Sequence, residues 1–589
     1  MPASSRLHFT SILPILRPVA LSSAALTLGL ALTGCQTYTA QTQSRDDAVR
    51  SGNIAAAVAQ ADKDVAKNAD NKDALLHRLE QGAILRAAAL ANIPLPAGGT
   101  AAPTPAVTAN QTQTNQALNE AEPEQISPRI AWLTRSIAAF DEAARRVDDF
   151  EADAKIKVGS EAAALFTNQA NTPYRGRAYD KVMLHTYQAL NYLQLADADA
   201  ARVELNRALQ RQRDAVEANA KRIEEAQKLA EEAKEKGVKD EQGRQGSGYD
   251  IERAKSDPRT AAGIAAIESK FNAAILPYGD YVNPFTTFLD ALVFTHQATD
   301  AADLERARKS WERVLNFAPQ NPYVREDYVA VEPDLRPTAP AVETTPPSAD
   351  APAAEDAPAS VAAGNAPASV PADTVVAPAE PVAQPVLSSP SGITYVIFET
   401  GSAPYRDQIR IDLPLFAVTS SISYVGMALP QLETVGTYAS SLSISTSEGR
   451  TYSPALVASM DSVVAQDFKN EWPSILTKTI LSTATKATID AVLQKQIQDQ
   501  AGATGALLFK LATAVTQAAI NIADTRTWRS LPKEFQYARI PTPADRRLVL
   551  STGGASHAVT LEPAAVQVVY VKSPGAVSPL LVGQFVLKK

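Results

Sequence analysis

The sequence predicts a multidomain protein: an α-helical region built from hairpin repeats, then an α+β domain with a mainly antiparallel sheet, the two joined by a disordered Pro/Ala-rich linker. Three observations predict it. Apolar residues recur at helical spacing through the first half of the chain. The stretch from Pro333 to Pro390 carries 13 prolines and no aromatic residue. After Gly392 the apolar pattern changes to runs and alternations of strand type.

At 589 residues the chain is long enough for two to four domains of roughly 150 residues. Its formal net charge of -8 argues against a nucleic-acid partner, which would select a basic surface. A single cysteine excludes disulfide frameworks and thiolate metal sites. The five histidines are scattered along the chain, so no metal site is expected; no cofactor is implied. No Walker phosphate loop and no GxSxG elbow is present, and no catalytic residue is assigned.

Residues 1–34 have the order of an export signal: Arg6 and Arg17, then the apolar run Val19 to Leu32, then Leu32-Thr33-Gly34-Cys35. A helix of 14 residues covers about 21 Å, short of the roughly 30 Å of a bilayer core, so the run is a signal and not a span. LTGC resembles a bacterial lipobox, which makes Cys35 the lipid-attachment residue and the new N-terminus. Gln36 follows instead of the Asp that retains such lipoproteins at the inner membrane. The resemblance therefore implies the outer membrane, with the mature protein facing the periplasm.

Residues 35–332 form the predicted helical region. Ala189, Tyr192, Ala201, Leu205 and Ala208 occupy the small and large positions of a tetratricopeptide hairpin of about 34 residues. A second copy opens at Asn283-Pro284 with Phe285, Phe288 and Phe294, and closes with Ala307, Trp311, Val314 and Pro319. A weaker copy begins near Ser51-Gly52-Asn53. Two segments interrupt the array. Residues 93–124, rich in Pro, Thr, Gln and Ala, are expected to be a mobile loop. Residues 210–239 are alanine-rich and charged and are expected to form an exposed helix projecting from the array. Tyr179, Met183, Tyr187 and Leu190 should be core, while Tyr174, Arg175 and Arg177, just ahead of them, offer the exposed aromatic and guanidinium groups of a partner-binding surface.

The linker of residues 333–390 has too few apolar groups to bury, so cleavage there should yield two folded fragments. In residues 391–589, Ile393 to Glu399 reads as a buried strand and Gln408 to Leu413 as an alternating one. Leu442 and Ile444 suggest a third, and RLVLS, HAVTLEP, VQVVYVKS and LLVGQFVL follow near the C-terminus, with a turn at STGGAS. Between them Ser453-Pro454 reads as the start of a helix carrying Leu456, Met460, Val463, Val464 and Phe468. Helical pattern continues from Ser474 to about Ile497, and Ala503 to Ala523 reads as a core helix. Beyond it, Asp524, Arg526 and Trp528 brace the turn toward the strands or, alternatively, offer Arg526 to a carboxylate or phosphate ligand.

Three strings, from Asp180 to Ala208, from Asn283 to Val324, and from Ala523 to Pro532, together resemble a family of bacterial tetratricopeptide-like lipoproteins without assigned activity. The resemblance implies no catalytic residues. The expected function is that of a scaffold binding protein partners in cell-envelope assembly, tethered to the membrane through Cys35. The alternatives are a cell-wall hydrolase or transferase using carboxylates, and a subunit of a secretion or surface-organelle complex.

Overall fold

The computed structural model describes residues 38–96, 127–156, 169–236, 248–276, 278–279, 281–332, 392–415, 424–487 and 522–589. Cys35, the linker, the greater part of the 93–124 insertion and the apolar run up to residue 521 lie outside the described residues.

The helical region runs α1 (Tyr38–Arg50), α2 (Ile54–Lys67), α3 (Ala74–Leu90), α4 (Pro128–Ile156), α5 (Ala178–Gln194), α6 (Ala198–Lys236), α7 (Ile251–Lys255), α8 (Pro258–Asn272), α9 (Pro284–His296), α10 (Ala301–Phe317) and α11 (Pro322–Val331). Its helix starts are written in the chain. Asn53, Asn283 and Asn321 each accept a backbone N–H of the first turn, and the last two are followed by proline, whose missing N–H costs nothing there. The α5/α6 pair stacks on the α9/α10 pair through the Thr186 and Thr286 hydroxyls at 2.7 Å and an Arg202–Asp303 ion pair at 2.7 Å.

The C-terminal region supplies β1 (Ile393–Thr400), β2 (Tyr405–Pro414), β3 (Tyr424–Glu433), β4 (Ser443–Thr446), β5 (Thr451–Tyr452), β6 (Ala455–Ser459), a helix α12 over residues 460–487, β7 (Glu534–Pro541), β8 (Arg547–Thr552), β9 (Ala555–Thr560), β10 (Val566–Ser573) and β11 (Leu581–Lys588). The central sheet has the order β11-β10-β1-β7-β6, antiparallel except for the parallel pair β1/β10. A second sheet, β5-β4-β8-β9, and a β2/β3 ribbon are wholly antiparallel. Gly553 and Gly554, both at positive φ, form the two-residue turn between β8 and β9.

Alternation along the central strands sets the layers. Tyr395, Ile397, Phe535, Tyr537, Val568 and Tyr570 face the helices. Val396, Phe398, Ala538, Ile540, Val569 and Val571 face Ile444, Leu548 and Leu550 of the second sheet. Both faces are covered, which is why β1 and β10 read as nearly unbroken apolar runs.

Three expectations are corrected. Ser453-Pro454 does not open a helix: 455–459 pairs with β7 as an edge strand, and α12 begins at Met460, leaving Leu456 39% exposed. The second half of α6 does not project clear of the body, because Ala226, Leu229 and Ala233 form a narrow buried stripe; beside it the Tyr249 N–H donates to the Ala233 carbonyl at 3.1 Å. Two of its three residues are alanines, so the pattern carried little signal.

The third correction concerns the two halves. One hydrophobic core runs without a break from Tyr38 through α3, α5 and α9 to Phe535, Tyr570 and Leu587. The helices cover the inner face of the central sheet, so neither half can leave without exposing that face to water. A protease site engineered between residues 340 and 385 is therefore expected to give two pieces that co-elute and melt in one transition. Two separately eluting folded pieces in size-exclusion chromatography would contradict the shared core.

Candidate functional site: buried ion-pair clusters between helices and sheet

The residues singled out in two distant parts of the sequence converge. Arg177, at the start of α5, donates to Glu471 of α12 at 2.9 Å and to the Arg526 carbonyl at 3.1 Å. Glu471 also receives Arg406 of β2 at 2.7 Å and Arg222 of α6 at 3.3 Å. Asp524 takes Arg526 through both carboxylate oxygens, at 2.8 and 2.9 Å, and Arg526 reaches on to Asp73 at 3.1 Å and to the Thr172 carbonyl at 2.7 Å. The Tyr174 ring lies against both guanidiniums, its hydroxyl donating to Asp180.

Tyr174 and Arg177 are thus 3% and 8% exposed, not surface groups; Arg175 alone of the three faces solvent. The correction follows from charge: four acids from both halves, Asp73, Asp180, Glu471 and Asp524, gather at this point, and charge-assisted hydrogen bonds offset the cost of taking the guanidinium out of water. Trp528 is fully buried between Phe140 of α4 and Tyr187 of α5, with ring centroids 6.0 and 5.9 Å away.

Three further clusters join helices to sheet. Glu80 of α3 accepts the Arg529 N–H at 2.7 Å, the Ser530 N–H at 3.2 Å and the Ser530 hydroxyl, while Arg45 of α1 pairs with it at 3.0 Å. Glu399 of β1 accepts Tyr187 at 2.9 Å, Tyr570 at 2.5 Å and the Lys572 ammonium, and Arg86 lies 4.5 Å over the Tyr570 ring. Asp327 of α11 accepts the Tyr395 and Tyr537 hydroxyls at 2.9 and 3.1 Å and forms an ion pair with Arg539 at 3.1 Å. None of Glu471, Arg406, Glu399 or Lys572 was singled out from sequence. The last two had a usable signal: each is a lone charge, of opposite sign, in an otherwise apolar strand.

The electrostatics follow burial and partners. Burial pushes the Glu471 carboxyl up, but Arg406, Arg177 and Arg222 together hold it well below the ordinary range. One turn earlier burial and the Glu471 charge push Asp467 up. Against burial, Arg526 and then Arg177 hold Asp524 far below the carboxylate range, and Lys572 and then Arg86 lower Glu399. Burial lowers His77 and His296 to about 4, aided by Arg45 and Arg539 respectively. His185 pairs with Glu204 at 2.7 Å, and His557 is on the surface.

Divergent carboxyls one turn apart are a pattern that acid–base catalysis uses. Asp467, however, is only 4% exposed, and the three arginines are committed to its neighbour. The arrangement holds two regions in one register rather than presenting a reactive group. A small recess beside the Glu80–Arg45 cluster is lined by polar and apolar groups alike, among them Asp46, Val49, Arg50, Ala403, Arg529 and Ser530. Among the described residues no group of three or more His, Cys, Asp and Glu side chains is placed to hold a metal ion, and no helix is long and apolar enough to cross a membrane. No protein-family model, curated protein or solved structure matches this chain.

Asp327 makes a pH test. Burial raises its carboxyl from 3.8 to about 6, with Arg539 and the two tyrosines pulling the other way. The folded state therefore keeps a proton that the unfolded chain releases near pH 4. Stability from this group is full below about pH 4 and is lost as the pH rises through 6, by up to about 3 kcal/mol. Asp327→Asn is expected to flatten that fall in urea midpoints measured from pH 4 to 7; an unchanged slope would refute the assignment.

Proposed function

We propose that the protein is an outer-membrane lipoprotein, anchored through Cys35 and facing the periplasm, whose helical hairpins act as a tetratricopeptide-type scaffold for protein partners in cell-envelope assembly. The observation that carries the anchor is the export signal ending in LTGC, which holds the chain's only cysteine. Acyl chains on that residue give stable attachment without a spanning helix. The scaffold reading is supported by the packing of the hairpins: Ala189, Ala201, Leu205 and Ala208 in one, and Ala307, Trp311 and Val314 in the other, are all at 0% exposure, at the offsets where a repeat needs close helix approach. The Glu471, Asp524 and Asp327 carboxylates that the fold gathers are buried and each faces an arginine, which favours binding over hydrolysis as the work of the molecule.

Cys35→Ser tests the anchor. In cells it is expected to accumulate as uncleaved precursor or to appear in the soluble fraction, with no palmitate label. Outer-membrane fractionation like that of the unmodified protein would reject the proposal. Cross-linking in intact cells, with the attached protein identified by mass spectrometry, tests the scaffold.

A further inference from the structure

The short distance between the anchor and the folded body has a mechanical consequence, resting on the reading of Cys35 as the acylated residue. Only Gln36 and Thr37 separate it from Tyr38. Three residue steps at full extension span about 11 Å. Tyr38 is no free end: it opens α1, is 6% exposed, and its ring sits 5.7 Å from that of His77 and 6.0 Å from the Arg45 guanidinium. An acylated Cys35 would therefore hold this end of the body within about 11 Å of the headgroups.

The surface at that end is definable. Arg45 faces both Asp64 of α2 and Glu80 of α3, so the three helices lie side by side there. Since α2 runs back from its Asn53 cap, the start of α1 stands level with the turn between α2 and α3, residues 68–73. The Tyr174 N–H donates to the Lys72 carbonyl at 2.7 Å, which brings the 172–176 loop to the same end. Its exposed charges are Lys63, Lys67, Lys72 and Arg175 against Asp70; Lys72 also donates to the Ala170 carbonyl. On the nearby last turns of α4, Asp148 and Glu151 pair with Arg211 and Asp149 with Arg145, and Asp153 is a further exposed acid. At the far end of α1, about 18 Å away by helix rise, the 575–579 loop packs on Arg50 and Gly52 and presents Val577, 89% exposed.

We propose that the end of the body formed by the start of α1, the α2–α3 turn and the 172–176 loop docks flat on the anchoring bilayer, its lysines and Arg175 facing anionic phospholipid headgroups. Basic groups within a Debye length of such a surface are attracted to it, and those 18 Å away are screened. The docked orientation points the 575–579 loop away from the membrane.

The test uses full-length acylated protein in vesicles of phosphatidylethanolamine and phosphatidylglycerol with a quencher on the headgroups. With Cys35 acylated, an engineered cysteine is the sole thiol; Ala66→Cys on the exposed side of α2 and Val577→Cys each carry a fluorophore. Quenching several-fold stronger at 66 than at 577 is expected, falling toward the 577 level when Lys67, Lys72 and Arg175 are all changed to Glu. Equal quenching at both positions in protein that floats with the vesicles would overturn the docking and leave the anchor standing. Undiminished quenching in the charge-reversed protein would overturn the role of the basic residues. Protein that carries no acyl mass and does not float would instead refute the anchor itself.

Discussion

Glu471→Ala is expected to lower the unfolding free energy by about 3–5 kcal/mol, because it removes the carboxylate that Arg177, Arg406 and Arg222 share and leaves the buried Arg406 without its ion-pair partner. The cost of breaking a buried pair is set by the charges left behind. Arg406 is almost wholly buried, and Asp467, one turn away, is held toward its neutral form by burial and by Glu471 itself. Loss of Glu471 should therefore let Asp467 ionise and recover part of the loss, more at pH 8 than at pH 5. Urea midpoints at the two pH values read this directly. Arg145→Ala, whose pairs with Glu142 and Asp149 lie on the surface, should leave the midpoint where it was. If Glu471→Ala behaves like Arg145→Ala, the cluster does not hold the helices to the sheet.

Trp528→Ala is the second large effect, about 3–5 kcal/mol from the cavity it opens at full burial. The indole stands edge-on to Tyr187 at 81° and against Phe140, so its removal loosens α4 and α5 from the strand that follows. Trp528→Phe distinguishes packing from polarity. The indole N–H finds no acceptor among the described residues, so phenylalanine removes an unsatisfied donor while filling part of the space, and it should retain most of the stability. A Phe variant as unstable as the Ala variant would show that the N–H is bonded after all.

Local signals in the chain determined much of this molecule. The Asn-Pro pairs at 283–284 and 321–322 start helices because side-chain cap and ring geometry act within one turn. Tyr179, Met183, Tyr187 and Leu190 are core because helical spacing puts them on one stripe. Strand identity in VQVVYVKS followed from an apolar run too short for a helix, and the glycine pair at 553–554 from the φ values only glycine adopts readily. The β7 strand EFQYARIP and the β3 strand of the ribbon gave no clean alternation, since neighbours cover them unevenly. What the tertiary structure alone decided is which charges are inside. Arg177 looks like a surface group in sequence, Arg526 like a local turn brace, and Glu399 like the end of a strand. Each meets an opposite charge 173 to 453 residues away in the chain, and the attraction between the two offsets the cost of leaving water most strongly at short range. Sequence spacing carries periodicity along one element; it carries no information on distance between elements. That is why two apparently independent domains close over one core.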